Sequence, residues 1–93
     1  MTIQHKQSGS KGIFFITEDD EIVAKLTYSM SPDGHMIIEH TEVDEEQRGG
    51  DLGYELVQQS VTYARSHFFK IIPLCRFAKA VLDKKPEFRD IIG

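Results

Sequence analysis

The hydrophobic period of this chain changes once, at a glycine-containing segment between residues 44 and 53. Before that segment apolar and polar residues alternate, as they do in half-buried β-strands. After it apolar residues recur every three or four positions, as on one face of a helix. The 93 residues suffice for one small domain. The pattern therefore predicts antiparallel strands followed by alternating helices and strands, in a single domain over residues 1–93.

Two or three antiparallel strands are predicted before residue 44. A short apolar run forms Ile13–Thr17, and clear alternation marks Glu21–Met30. The segment Ser31–Gly34 has the Pro-Asp-Gly composition of a tight turn, so the chain is expected to return as His35–Val43. Strict alternation puts one set of residues of this last strand on a common face: Met36, Ile38, His40 and Glu42.

The second half is predicted to contain two helices separated by a strand. The helical period covers Leu52–Phe68, and a buried strand is expected at Lys70–Cys75. A shorter helix follows at Phe77–Lys84, with Phe77, Val81 and Leu82 directed inward, and a last turn covers Pro86–Ile92. The order β-β-β-α-β-α predicts an α+β layer sandwich.

Composition excludes several classes of function. A net charge of −4 argues against nucleic-acid binding. No apolar run is long enough to cross a membrane, and the polar first residues do not resemble a signal peptide. A single cysteine is typical of a reducing compartment, so a cytoplasmic location is expected. Residues 1–51 carry eleven acids and four bases, whereas residues 52–93 carry four and seven. This asymmetry indicates either two solvated faces or a site with a cation-binding and an anion-binding end.

The glycine-containing segment joins a predicted strand to the start of a predicted helix. Glycines let a ligand approach the backbone, and the first N–H groups of a helix have no partner within it. An arginine and three glycines in this position suit a pyrophosphate, although a simple tight turn explains them as well. The segment has neither the Gly-Lys-Ser/Thr of a Walker loop nor the βαβ context of a dinucleotide fingerprint.

Three blocks together resemble the small bacterial GNAT-like acetyltransferases, over about residues 12–92: His40–Val43, Arg48–Gly53 and Ile72–Cys75. The resemblance implies a GNAT-like fold in which antiparallel strands precede β-α-β-α and the central strand pair splays apart. It implies acetyl-coenzyme A (acetyl-CoA) as cofactor, with the pantetheine arm along the strand and the pyrophosphate on the loop. The cofactor-binding residues that it implies are Thr41, Val43, Arg48, Gly49, Gly50, Asp51, Leu52, Gly53 and Tyr54.

Asp51 departs from the family pattern, because the middle glycine of the loop is expected there. An aspartate at this position is a good N-cap, since its carboxylate accepts hydrogen bonds from the next backbone N–H groups. The same carboxylate would repel a pyrophosphate.

Cys75 and His40 are the candidate catalytic residues. Cys75 follows a predicted strand and starts a helix beside Arg76, a setting that favours thiolate. The resemblance implies that Cys75 lies near the acetyl thioester, as an acyl carrier or as the acid that protonates the leaving thiolate. His40 precedes the loop and titrates near neutrality, so it suits proton transfer. Each residue is explained equally well by packing alone. No histidine pair has the spacing of metal ligands, so no metal is predicted.

Charged residues surround the loop. An acidic cluster is either solvated surface or a guide for a cationic substrate: Glu39, Glu42, Asp44, Glu45 and Glu46. The lysines of the last helices are expected to be exposed, and the sequence does not say which of them contact coenzyme phosphates: Lys79, Lys84 and Lys85.

Two functions of different classes follow from these features. The first is an acetyl-CoA-dependent N-acetyltransferase acting on an unidentified amine or macromolecular acceptor, as a monomer or weak dimer. The second is a non-catalytic coenzyme A-binding module or sensor, because so short a chain leaves little material for a closed acceptor pocket. A third alternative, a small adaptor whose glycines only form a turn, predicts no coenzyme binding.

Overall fold

A mixed five-stranded sheet forms the frame of the protein. The computed structural model describes residues 2–47 and 49–93. The strands lie side by side in chain order: β1 (Ile3–Ser8), β2 (Lys11–Glu18), β3 (Glu21–Met30), β4 (His35–Val43) and β5 (Lys70–Pro73). Strands β1 to β4 are antiparallel, and β5 is parallel to β4. The parallel pair requires a crossover, which a helix between the two strands provides.

Two helices complete the α+β fold. Helix α1 (Leu52–Ser66) crosses from β4 to β5, and α2 (Arg76–Lys84) follows β5. Short 3₁₀ segments occupy Glu45–Gln47 and Pro86–Ile91. Buried residues of both helices join one cluster with one face of the sheet: Leu56, Val57, Ala78, Leu82, Leu26 and Tyr28. The helices therefore form one layer on the sheet, as predicted for this fold class.

Strand β1 was not predicted, because its sequence carries almost no strand signal. Five of its six residues are polar and exposed, and only Ile3 is apolar. It forms an edge strand whose pairing runs from Ile3 opposite Ile16 to Ser8 opposite Lys11. Backbone hydrogen bonding to β2 thus creates a strand where hydrophobic alternation is missing.

A bulge in β4 overturns the strict alternation predicted for that strand. Ile38 lies opposite Tyr28, but the next paired residue of β3, Thr27, lies opposite His40, so Glu39 is an extra residue. An extra residue reverses the faces of all residues beyond it. His40 is consequently on the outer face of the sheet. Met36 and Ile38 share the helix-covered face with Thr41, which lies opposite buried Leu26.

Aromatic rings join β1 to the core. The imidazole of His5 stacks on Phe14 with ring centroids 4.1 Å apart, and its Nε2 is 2.5 Å from Tyr28 Oη. Tyr63 of α1 packs edge-on against His5 at 4.7 Å. Although His5 keeps much of its surface exposed, its desolvation against these rings, with a smaller contribution from the neighbouring His67, lowers its pKa below the ordinary value of 6.5.

We expect His5 to make stability depend on pH. A histidine whose pKa is lower in the folded protein binds its proton more weakly there, so stability falls as the pH falls below about 6.5. The midpoint of urea unfolding should therefore drop between pH 7 and pH 5 by more in the native protein than in His5→Gln. Parallel curves for the two proteins would contradict this assignment.

Candidate functional site

The pairing of β4 with β5 ends halfway along β4. Its last matched residues are Ile38 and Pro73, and the carbonyl of Ile38 accepts hydrogen bonds from the N–H groups of Leu74 at 3.0 Å and Cys75 at 3.2 Å. Strand β4 continues to Val43 beside β3, whereas the chain after β5 turns into α2. The two strands thus diverge, which gives the splayed geometry.

A groove of about 1010 Å³ lies where the strands diverge. The far end of β4 supplies Thr41 and Val43, the start of α1 supplies Gly53 and Tyr54, and α2 supplies Phe77. Gly49, Gly50 and Asp51 line the same groove. The structure thus gathers most of the residues that sequence reasoning singled out for coenzyme binding. Leu52 is half-buried, packs against the core and does not line the groove, and Arg48 lies outside the described residues.

No described residue of the loop before α1 caps the helix start through its side chain. Gly49 has φ +93°, a conformation that a β-carbon strains. Asp51 occupies the N-cap position but makes no capping hydrogen bond through its carboxylate, so the expected capping role is wrong. Only its carbonyl is used, accepting from the N–H of Glu55 at 2.8 Å. The first N–H groups of this 15-residue helix are therefore open to an anion from the groove.

Close packing between α1 and α2 forms one wall of the groove. Gly53 is buried, and a β-carbon at this position would come within 2.8 Å of Phe77 Cζ. Phe77 was predicted to point inward, but it is 44% exposed and lines the groove. Ala78 and Leu82 face the core instead. Sequence reasoning thus missed Phe77 and Val81 as groove residues, although their spacing of four does place them on one helix face.

Cys75 is half-buried at the N-cap of α2, beside the groove residue Thr41. Its Sγ is 3.5 Å from Thr41 Oγ1. Partial burial by itself raises the pKa of the thiol, but the backbone N–H groups of Ala78 and Phe77 and the hydroxyl of Thr41 favour the thiolate. The net result is a pKa below the ordinary 9.0.

His40 lies apart from Cys75. Its neighbour Thr41 faces the helices and reaches Cys75, whereas exposed His40 is opposite Thr27 on the outer face of the sheet. The bulge at Glu39 produces this arrangement, and strict alternation could not reveal it. The structure therefore does not bring the two predicted catalytic residues together on one face.

The predicted acidic cluster is divided. Glu42, Asp44 and Glu45 line the groove. Glu39 instead lies 3.3 Å from Lys11 Nζ on the outer face, and Glu46 is exposed outside the groove. Lysines of β3, of α2 and of the residue that follows α2 line the groove as well: Lys25, Lys84 and Lys85. The groove is thus lined by apolar side chains together with charged side chains of both signs.

Within the described residues, no group of three or more histidine, cysteine or carboxylate side chains is arranged to hold a metal ion. No helix in that part of the chain is both long enough and apolar enough to cross a membrane.

Comparisons with known proteins identify relatives of the whole fold. The family described as GCN5-related N-acetyl-transferase matches residues 13–91. The solution structure of a GCN5-like candidate N-acetyltransferase from Staphylococcus aureus is 33% identical, with a TM-score of 0.75. The match covers 97% of this chain and 87% of that protein. Comparison with curated protein sequences finds no match.

Larger acetyltransferases share the fold at lower identity. One is a candidate streptothricin acetyltransferase from Bacillus anthracis in complex with acetyl coenzyme A. It is 17% identical, with a TM-score of 0.64 over 80% of this chain and 47% of that one. Another is the ribosomal-protein-S18-alanine N-acetyltransferase from Escherichia coli, at 14% identity and TM-score 0.69 over 84% and 53%. The chain thus spans about half the length of these two enzymes.

Proposed function

Because the chain belongs to the GCN5-related N-acetyltransferase family, we propose that it binds acetyl-CoA in the groove and transfers the acetyl group to an amine. The observation that carries this proposal is the course of the groove. It runs from Thr41, whose Oγ1 lies 3.5 Å from Cys75 Sγ just outside the groove lining, to the start of α1 at Gly53 and Tyr54. The thioester would lie at the end beside Thr41 and Cys75, where a thiol can transfer a proton. The pyrophosphate would lie at the other end, where the helix start favours an anion.

The residues present fit this coenzyme. The first N–H groups of α1, which no described side chain caps, and the side-chain-free backbone of Gly49 and Gly50 suit a pyrophosphate. The apolar part of the lining, which includes Val43, Phe77 and Val81, suits a pantetheine arm, which carries no charge. Exposed Asp51 opposes the anion, but its carboxylate occupies none of the capping positions. We therefore expect binding, weakened by the like charge of Asp51.

We assign to Cys75 the transfer of a proton to the leaving thiolate of coenzyme A. Acetyl-CoA supplies a thioester carbonyl that an amine attacks, and the carbon–sulfur bond breaks. Cys75 holds a proton at Sγ that it gives to the departing sulfur, and the hydroxyl of Thr41 stabilises the thiolate that remains. The proton lost by the amine returns to Sγ through solvent, so the residue is regenerated.

A non-catalytic coenzyme A-binding module is the second candidate function. One observation favours it: His40, the predicted proton acceptor, is on the outer face of the sheet and away from Cys75. The outcome that separates the candidates is thiol release from acetyl-CoA in the presence of amines. Saturable binding without release over a broad amine panel would favour the module.

The binding prediction is tested by amide chemical shifts. Acetyl-CoA should shift the resonances of residues 49–54 and of Cys75 in a saturable way, and ADP should shift only the loop residues. Gly49→Ala should weaken binding about tenfold, because a β-carbon at φ +93° forces the loop to rearrange. Absence of any shift at millimolar acetyl-CoA would contradict the proposal.

Gly9→Ala is the matched control for this variant. Gly9 also has a positive φ, +59°, and neither glycine has an atom within 4 Å of the added β-carbon. The two variants should lose similar, small amounts of stability. Only Gly49→Ala should lose affinity, since Gly9 lies in the β1–β2 turn and does not line the groove.

A further inference from the structure

One face of α2 changes from apolar to cationic along its length. Phe77, Val81 and Lys84 are spaced by four and three residues, so they form a single stripe, and all three line the groove. At a rise of 1.5 Å per residue, about 10 Å separates the two ends of the stripe. Lys85, the C-cap of the same helix, lines the groove beside Lys84.

These two lysines have no anionic partner among the described residues. The salt bridges of that part of the chain use Lys11, Lys25, Lys79, Arg65 and His35 as cations. Lys79, on the same helix, pairs with Asp83 at 2.8 Å and does not line the groove. Two ammonium groups at a groove rim without a carboxylate partner favour an anion bound from solution.

Tyr54 connects the lysines to the start of α1. The Nζ of Lys85 lies 5.4 Å from the centroid of the Tyr54 ring, within the range of a cation–π contact. Tyr54 is only the third residue of α1. The cationic end of α2 therefore faces the groove next to the helix start that the proposed function assigns to the pyrophosphate.

From this arrangement we propose that Lys84 and Lys85 bind the 3′-phosphate of coenzyme A and make the protein select it over dephospho-coenzyme A. The inference rests on the proposed function. Coenzyme A carries one phosphate beyond its pyrophosphate, on the ribose, a short distance from the pyrophosphate itself. The protein likewise has two anion-binding features that lie close together: the start of α1 for the pyrophosphate and the lysine pair for the 3′-phosphate. The lysines also offset the groove carboxylates of Asp44, Glu45 and Asp51.

The test compares calorimetric affinities for coenzyme A and dephospho-coenzyme A. The native protein should bind coenzyme A about tenfold more tightly. In the double variant Lys84→Gln, Lys85→Gln the two affinities should become equal, with that for dephospho-coenzyme A unchanged within about twofold. The matched control, Lys79→Gln with Lys11→Gln, removes the same charge from paired lysines outside this groove and should keep the preference.

Each outcome is decisive. Equal affinities in the native protein, or a preference that survives in the double variant, would overturn the assignment of the 3′-phosphate while leaving the groove as the coenzyme site. Loss of preference in the control double variant would also overturn it, because net charge alone would then explain the selectivity. If neither ligand binds the native protein, this inference fails together with the proposed function.

Discussion

Replacing Cys75 with alanine should reduce acetyl transfer at least about a hundredfold, the usual effect of removing a general acid. The side chain is half-buried beside Thr41, so its loss leaves no large cavity, and the variant should fold. The rate of free-thiol release from acetyl-CoA, measured with the best amine of a panel, gives the effect. An unchanged rate would remove Cys75 from the mechanism.

A second variant, Thr41→Val, tests the environment of the Cys75 thiol. Its hydroxyl is 3.5 Å from Sγ and helps to keep the pKa of Cys75 below 9.0, so removing it should raise that pKa. The pH profile of Cys75 alkylation by iodoacetamide should then shift to higher pH. Because threonine and valine have similar volumes, such a shift would report the loss of the hydroxyl and not a change in packing. If the contact between Thr41 and Cys75 were only structural, Thr41→Val would change the stability of the protein but not the pH profile of alkylation, and the prediction would fail.

Replacing Gly12 with alanine should destabilise the fold by about 3 kcal/mol, at the upper end for overpacking a core. An added β-carbon would overlap the ring of Tyr28, at Cζ and Oη. Tyr28 cannot move aside, because it is fully buried and its hydroxyl is held by His5 at 2.5 Å. Thermal unfolding should show a loss of roughly 15 °C for a domain of this size.

Two controls keep this prediction specific. Gly50→Ala adds the same methyl group where the nearest atom is the Gln47 carbonyl oxygen at 3.5 Å, so stability should change by less than about 0.5 kcal/mol. Combining Gly12→Ala with Tyr28→Leu should cost less than the sum of the single effects, since the overlap disappears with the ring. Additive losses would show that the Tyr28 ring is not the cause.

The local features of the chain were predictable from sequence because they are encoded in neighbouring residues. The Pro-Asp-Gly turn, the alternation of Glu21–Met30 and the helical period after residue 52 each depend on side chains a few positions apart. The predicted helices are confirmed to within two residues at each end, at Leu52–Ser66 and Arg76–Lys84. The strand predicted at Lys70–Cys75 is shorter, ending at Pro73, where the chain turns toward α2.

Features that depend on partners distant in sequence needed the structure. Strand β1 exists because β2 offers an edge to pair with, and its own polar sequence contains no such signal. The bulge at Glu39 moves His40 to the outer face, which no period of two could indicate.

The sequence by itself determined the change of period, the glycine-containing loop at a helix start and a cysteine at the next helix start. Only the tertiary structure decided that Cys75 meets Thr41, and that α2 turns Phe77 and its two terminal lysines toward the groove. The physical reason is that a sequence pattern fixes which residues share a face of one element, whereas packing fixes what that face meets.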